Sequence, residues 1–230
     1  MADLERDIQE DFINIVTKDN KKEISSKYKI YQKLVYYRYE EIIKNSFLEF
    51  KKYISEKELE NSIKKFLKEP CSTEFVWQIA NDYRKFVKKN RLFHDRKYLY
   101  ELLYFDWIEI ELSMQEYKIE ELKEFHYENS YKLSNSARLK KFNYDILNAN
   151  IEKKEENFSI IYYDFKDDEV KYRQVNPVIF YLLRKIDKTK NIQSHLLELC
   201  FENDIEFQEA KDVLFEPLNE LFHNRIFESK

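Results

Sequence analysis

The chain contains no glycine in 230 residues. Average usage is about 7%, which would give roughly sixteen in a chain of this length. Their absence removes whole chemistries. A phosphate-cradling P-loop needs glycines so that backbone amides can reach the anion, and so does the dinucleotide fingerprint G-x-G-x-x-G. The strained G-x-S-x-G elbow of many hydrolases needs them for its turn. None of these exists here in standard form. An AT-rich coding sequence would account equally well for the missing glycines and for the heavy use of Lys, Asn, Ile, Tyr and Phe. The exclusion is the same either way.

The remaining catalytic constellations fare little better. His94, His126, His195 and His223 are scattered, with no H-x-x-x-H or C-x-x-C pair to suggest a metal site. The 44 carboxylates fit a charged helix surface, with no pair singled out. Cys71 and Cys200 lie far apart, and nothing local makes either a nucleophile. We therefore expect no enzyme activity, no cofactor and no metal. Two distant cysteines fit a reducing cytoplasm better than a secreted disulfide scaffold. Residues 1–10 carry no apolar signal core, and no stretch approaches a membrane span.

With 43% hydrophobic residues, including 18 Tyr and 18 Phe, the chain can bury a substantial core, and its buried tyrosine hydroxyls will need partners. The spacing of Leu4, Ile8, Phe12, Ile15 and Val16 predicts a first helix. Residues 26 to about 50 predict a second. Ser55 and Glu58 form a capping box that opens a third, ended by Pro70. Ser72 or Thr73 is expected to cap the next, bearing Val76, Ile79, Tyr83, Phe86 and Val87. Asp95 is expected to open a fifth, with Leu99, Leu102, Leu103 and Trp107. The pattern then changes. Residues 137–147 lack a helical face and read as extended. Residues 158–164 and 169–175 are rich in β-branched and aromatic side chains, with Asp167-Asp168 where a tight turn belongs, which predicts a β-hairpin. The polar run Glu152–Asn157 reads as a boundary or exposed loop. Asn176-Pro177 opens a helix and Asn191 a second. A third runs from about Glu206 to Phe222, interrupted near Pro217, and Arg225–Phe227 suggests a last strand. The expected fold is mainly α: a helical domain over 1–130, then a small α+β, winged-helix-like domain with a β-hairpin over 131–230.

Two surfaces stand out. Arg84, Lys85, Lys88, Lys89, Arg91, Arg96 and Lys97 crowd into fourteen residues. They suit an anionic partner, or simply the C-terminus of a helix, whose dipole favours cations. The hairpin offers a sheet edge for an incoming peptide strand, with Tyr162, Tyr163, Tyr172 and Arg173 as flanking contacts. DNA is disfavoured. Residues 151–230 hold 17 acidic and 12 basic side chains, a net −5. The expected recognition helix carries Glu206, Glu209, Asp212, Glu216 and Glu220 against Lys211 alone. Such a surface lacks the phosphate contacts that supply most non-specific affinity.

The order of several short motifs resembles the family of HvfC-like and MbnC-like partner proteins, described as a DNA-binding domain. That family opens with Tyr-Arg on a long helix, then Phe-Pro, then an aliphatic pair before a glycine. Here these read Tyr37-Arg38, Phe47-Leu48 and Tyr53-Ile54-Ser55, with Leu48 and Ser55 replacing the proline and the glycine. The family's Tyr-Leu-x-x-Leu-x-x-x-Glu-Trp is matched by Tyr98-Leu99, Leu102 and Asp106-Trp107. Its Ser-x-Arg-Leu…Tyr-Pro-Val resembles Ser136-Ala137-Arg138-Leu139 and Tyr144-Asp145-Ile146. The likeness spans about residues 26–228. It implies a non-catalytic partner of a TIM-barrel, multinuclear iron oxygenase, helping to hold a ribosomally made precursor peptide. Arg38 and Asp106 would then be partner-binding or core positions, and residues 158–175 would receive the peptide. The alternative is a transcription regulator that binds DNA through the winged-helix-like part.

Overall fold

Capping chemistry read from the sequence sets three helix starts, at Ser55, Asn176 and Asn191. The computed structural model describes residues 26–69, 75–119, 121–148 and 150–229. The helix expected over 4–16 and the caps expected at Pro70, Ser72 and Thr73 lie outside them. Internal contacts divide the chain into two compact units, Met1–Ile110 and Glu111–Lys230.

In the first unit, α1 spans Ser26–Ser46, a 3-10 turn Phe50–Tyr53, α2 Glu56–Phe66, α3 Val76–Lys89 and α4 Tyr98–Ser113, which runs on past Ile110. The Ser55 capping box forms at the start of α2. The Glu58 N–H donates to Ser55 Oγ at 3.3 Å, and the Ser55 N–H donates to Glu58 Oε2 at 2.9 Å. The residue before α3 is Phe75, which makes no side-chain cap. Helix α4 starts at Tyr98 rather than Asp95, and the connection before it holds positive φ angles of 51° at Arg91 and 60° at Phe93. The core is aromatic. Phe47, Phe66, Tyr83 and Phe86 meet with ring centroids 5.3–5.5 Å apart. Tyr83 is fully buried and its hydroxyl lies 2.6 Å from Ser62 Oγ. Ser62 donates its own proton to the Leu59 carbonyl, so Tyr83 is the donor of that pair. Burial pushes the Tyr83 hydroxyl well above the usual tyrosine range.

The second unit is α+β with a hairpin, as expected, and its strands make the protein as a whole mixed α+β rather than mainly α. Its strands are β1 Tyr131–Leu133, β2 Ala137–Asp145, β3 Asn150–Asp164, β4 Glu169–Gln174 and β5 Phe227–Ser229. Strands β2, β3 and β4 form one antiparallel sheet in that order, while β1 pairs with β5. Helices α5 Pro177–Lys185, α6 Ile192–Glu202 and α7 Phe207–His223 follow β4. Asn176 and Asn191 cap α5 and α6 as expected, each accepting a backbone N–H at 2.8 Å.

Three details differ from the sequence reading. Glu152–Asn157 is no boundary; it lies inside β3, where Lys154 pairs with Tyr144 and Asn157 with Phe142. Its charged side chains stay exposed while the backbone completes a ladder with β2. Pro217 does not interrupt α7. Proline removes only the bond to the Val213 carbonyl, and Val213 is 67% exposed, so water can take that bond. The division at Ile110 also falls before the expected 130/131 boundary. Phe125 and Tyr127, in a stretch without regular structure, are buried with Tyr131, Phe222 and Phe227 in the second core.

Three helices share one ending. In α3, α6 and α7 the last cap is Asn90, Asn203 and Asn224. The next residue, Arg91, Asp204 or Arg225, has φ between 51° and 57°. The residue after that donates back into the helix: Leu92 to Val87, Ile205 to Cys200 and Ile226 to Leu221. This is a Schellman turn, whose left-handed position is ordinarily glycine.

Candidate functional site

The sheet edge is built from the β3–β4 hairpin. Strand β4 is an outer strand, and its pairing with β3 runs from Ser159–Gln174 to Asp164–Glu169. The turn closes on Asp164. Its carbonyl accepts the Asp168 N–H at 2.9 Å, and its side chain accepts the Lys166 N–H at 2.9 Å. Asp168 supplies the positive φ, 57°, that a tight loop needs. Lys171 bridges Asp164 at 2.7 Å and also pairs with Asp167. That contact holds the Asp164 carboxyl below its ordinary range.

The four hairpin residues singled out by sequence part company. Tyr162 is buried, 6% exposed, and belongs to the core with Ile160 and Ala137. It is a packing residue, not a contact residue. Tyr163 is half-buried; its ring lies 5.4 Å from Tyr117 and 5.4 Å from Phe165, and its hydroxyl pairs with Asp168. Tyr172, half-buried, sits opposite Ile161 on β4. Arg173 makes two parallel bonds of 2.7 Å to Glu220 on α7. This pairing lowers the Glu220 pKa and ties the outer strand to the helical layer.

The first-unit residues are placed differently. Arg38 is exposed on α1 and pairs with Glu41 at 3.5 Å. Asp106 is buried and accepts the backbone N–H groups of Glu49 at 3.1 Å and Phe50 at 2.9 Å. It therefore caps the 3-10 turn from a distant helix. Burial pushes its carboxyl up to about 6, against the opposing pull of those two N–H bonds.

The basic run does not form one free patch. The Arg84 guanidinium stacks 4.0 Å from the Trp107 ring and bonds Asn81 at 2.8 Å. Arg96 binds the Tyr53 carbonyl at 3.1 Å and pairs with Glu58. Lys85, Lys88, Lys89, Arg91 and Lys97 are exposed, with Lys89 3.4 Å from Glu69.

Sequence reading missed two clefts in the second unit. One, of about 760 Å³, is lined by Glu124, His126, Lys211, Asp212, Phe215 and His223 among others. The other, of about 490 Å³, lies beside the hairpin turn and is lined by Tyr117, Asn135, Arg138, Phe165, Arg225 and Glu228 among others. Arg138, within the Ser136–Leu139 stretch, pairs with Glu111 at 3.0 Å. His195 is buried with Nε2 3.5 Å from Asp187, whose side chain also accepts from Thr189. Among the described residues no group of three His, Cys, Asp or Glu is placed to hold a metal ion, and no helix is long and apolar enough to cross a membrane. Compared with known proteins, the chain matches no family model and no curated protein.

Proposed function

We propose that this chain is a non-catalytic binding subunit whose second unit receives an extended peptide along β4. The observation that carries this reading is the position of β4 as an outer strand braced on its helical side. The Val175 N–H donates to the Phe158 carbonyl at 2.9 Å, which fixes the alternation of the ladder. In that alternation the backbone of 171 and 173 points at β3, and that of 170, 172 and 174 points outward. Arg173–Glu220 keeps the edge from moving when a strand is added, so an incoming peptide meets a preformed template.

The resemblance carried by Tyr37-Arg38, Asp106-Trp107 and Ser136–Leu139 supports the larger role. The peptide would be a ribosomal precursor, and the subunit would present it in the cytoplasm to an iron-dependent TIM-barrel oxygenase. Co-expression with the flanking genes tests that role: an iron-containing barrel should co-purify in stoichiometric amount. A metal-free chain eluting alone would remove it. The edge itself is tested by Val170→Pro, which blocks an outward N–H. Affinity for the precursor peptide should fall about tenfold with the circular dichroism unchanged.

The second reading is a DNA-binding regulator whose helices α5–α7 and sheet act as a winged-helix-like module. Three consecutive short helices beside a small sheet support it. Helix α7 opposes it by exposing Glu209, Asp212, Glu216 and Glu220 to any phosphate backbone. Steeply salt-dependent DNA binding would favour it over the peptide reading.

A further inference from the structure

Helix α6 is apolar on two sides. Its inner side buries Ile192, Leu196, Leu199 and Cys200 in the second core. Its outer side exposes Leu197 by 52% and Phe201 by 89%, one turn apart, and Ile205 follows at 37%. The Ile205 N–H donates to the Cys200 carbonyl at 2.9 Å, which folds Ile205 back against the helix end and continues the stripe. A solvated helix face does not need an apolar stripe of this kind, and scattered single residues would not share a row.

The surroundings are acidic. Glu198 and Glu202 already pair with Lys190 and Lys185 at 2.5 and 2.6 Å. Asp204, Glu206 and Glu209 at the α6–α7 turn are exposed and pair with no lysine or arginine among the described residues. The nearest basic residue in sequence, Lys211, instead bonds Gln193 at 2.9 Å.

We propose that the outer face of α6 docks a cationic amphipathic helix of a partner protein. Its apolar row would cover Leu197, Phe201 and Ile205, and its lysines or arginines would face Asp204, Glu206 and Glu209. Charge decides among occupants. A second copy of this face would bring the same carboxylates together, and an anionic membrane or nucleic acid would meet like charge. Only a basic apolar helix gains from both features. This surface is separate from the β4 edge and does not depend on it.

The test uses the full chain and a fluorescein-labelled helix of about 18 leucines and lysines patterned at helical spacing. A permuted peptide of equal composition, without an apolar face, is the control. In polarisation at low salt the patterned helix should bind at least about tenfold more tightly than the permuted one. Phe201→Ser, an exposed change that spares the core, should remove about tenfold in affinity. Asp204→Asn should weaken binding about two- to threefold and flatten its salt dependence. Val170→Pro should leave this binding unchanged, which separates it from the peptide edge. Equal binding of the two peptides, or an unaltered Phe201→Ser variant, would overturn the proposal. So would a wild-type dimer in sedimentation that Phe201→Ser converts to monomer, since the face would then belong to a second copy.

Discussion

Both units have aromatic cores, and they differ in the polar contacts that fasten their elements. The first relies on buried polar anchors between residues far apart in sequence: Asp106 on the Glu49 and Phe50 amides, Tyr83 on Ser62, Arg96 on the Tyr53 carbonyl. The second adds ion pairs near the surface to an aromatic cluster of its own. Tyr131 stands 5.4 Å from Phe222 and 5.2 Å from Phe227, and Phe125 joins all three. Arg173–Glu220 and Lys185–Glu202 then fasten strand to helix and helix to helix. Buried polar anchors specify geometry and fail when one atom changes, whereas aromatic packing fails by volume and ion pairs fail by screening.

Substitutions can break this contrast. Phe222→Ala opens a cavity among three buried rings and should cost about 3–5 kcal/mol in urea unfolding. A loss under about 1 kcal/mol would mean that the cluster is not the keystone of its unit. Next in size is a pH effect confined to the first unit. The Asp106 carboxyl is raised by burial to about 6, above its unfolded value of about 3.9. Its contribution is therefore fully present below about pH 4 and is lost as pH rises through about 6. The stability of the wild type relative to Asp106→Asn should fall by about 2 kcal/mol between pH 4 and pH 7. A flat difference would show that the two amide bonds cancel burial, and a rise with pH that they outweigh it.

The ion pair is expected to matter less. Glu220→Gln should cost about 0.5 kcal/mol at low salt and almost nothing in molar salt, since the Glu220 side chain is 58% exposed. The smallest effect is a gain. Arg225→Gly relieves a left-handed residue but loosens the unfolded chain, for a net rise of a few tenths of a kcal/mol in stability.

The caps were legible because each is a local hydrogen bond. Ser55 with Glu58, Asn176 with Pro177, and Asn191 all name their own partners within three residues. What was illegible depended on contacts made from afar. Glu152–Asn157 reads as a loop until β2 supplies its ladder. The run Ile160-Ile161-Tyr162-Tyr163 is apolar at both strand parities, so nothing in it says that Tyr162 faces the core. Arg84 and Arg96 read as members of a basic patch because Trp107 and Glu58, which hold them, are more than twenty residues away. Asp106 carries no sequence sign that it will reach the amides before Phe50.

The repeated helix ending also bears on how the protein ages. A glycine after Asn90, Asn203 or Asn224 would create Asn-Gly, the pair whose unhindered backbone nitrogen most readily attacks the side-chain amide and deamidates it. Arg91, Asp204 and Arg225 instead follow these asparagines, and the Cβ that each carries hinders that nitrogen as glycine would not. The backbone strain that glycine would relieve is thus coupled to chemical durability, with three asparagines shielded by the residues that follow them.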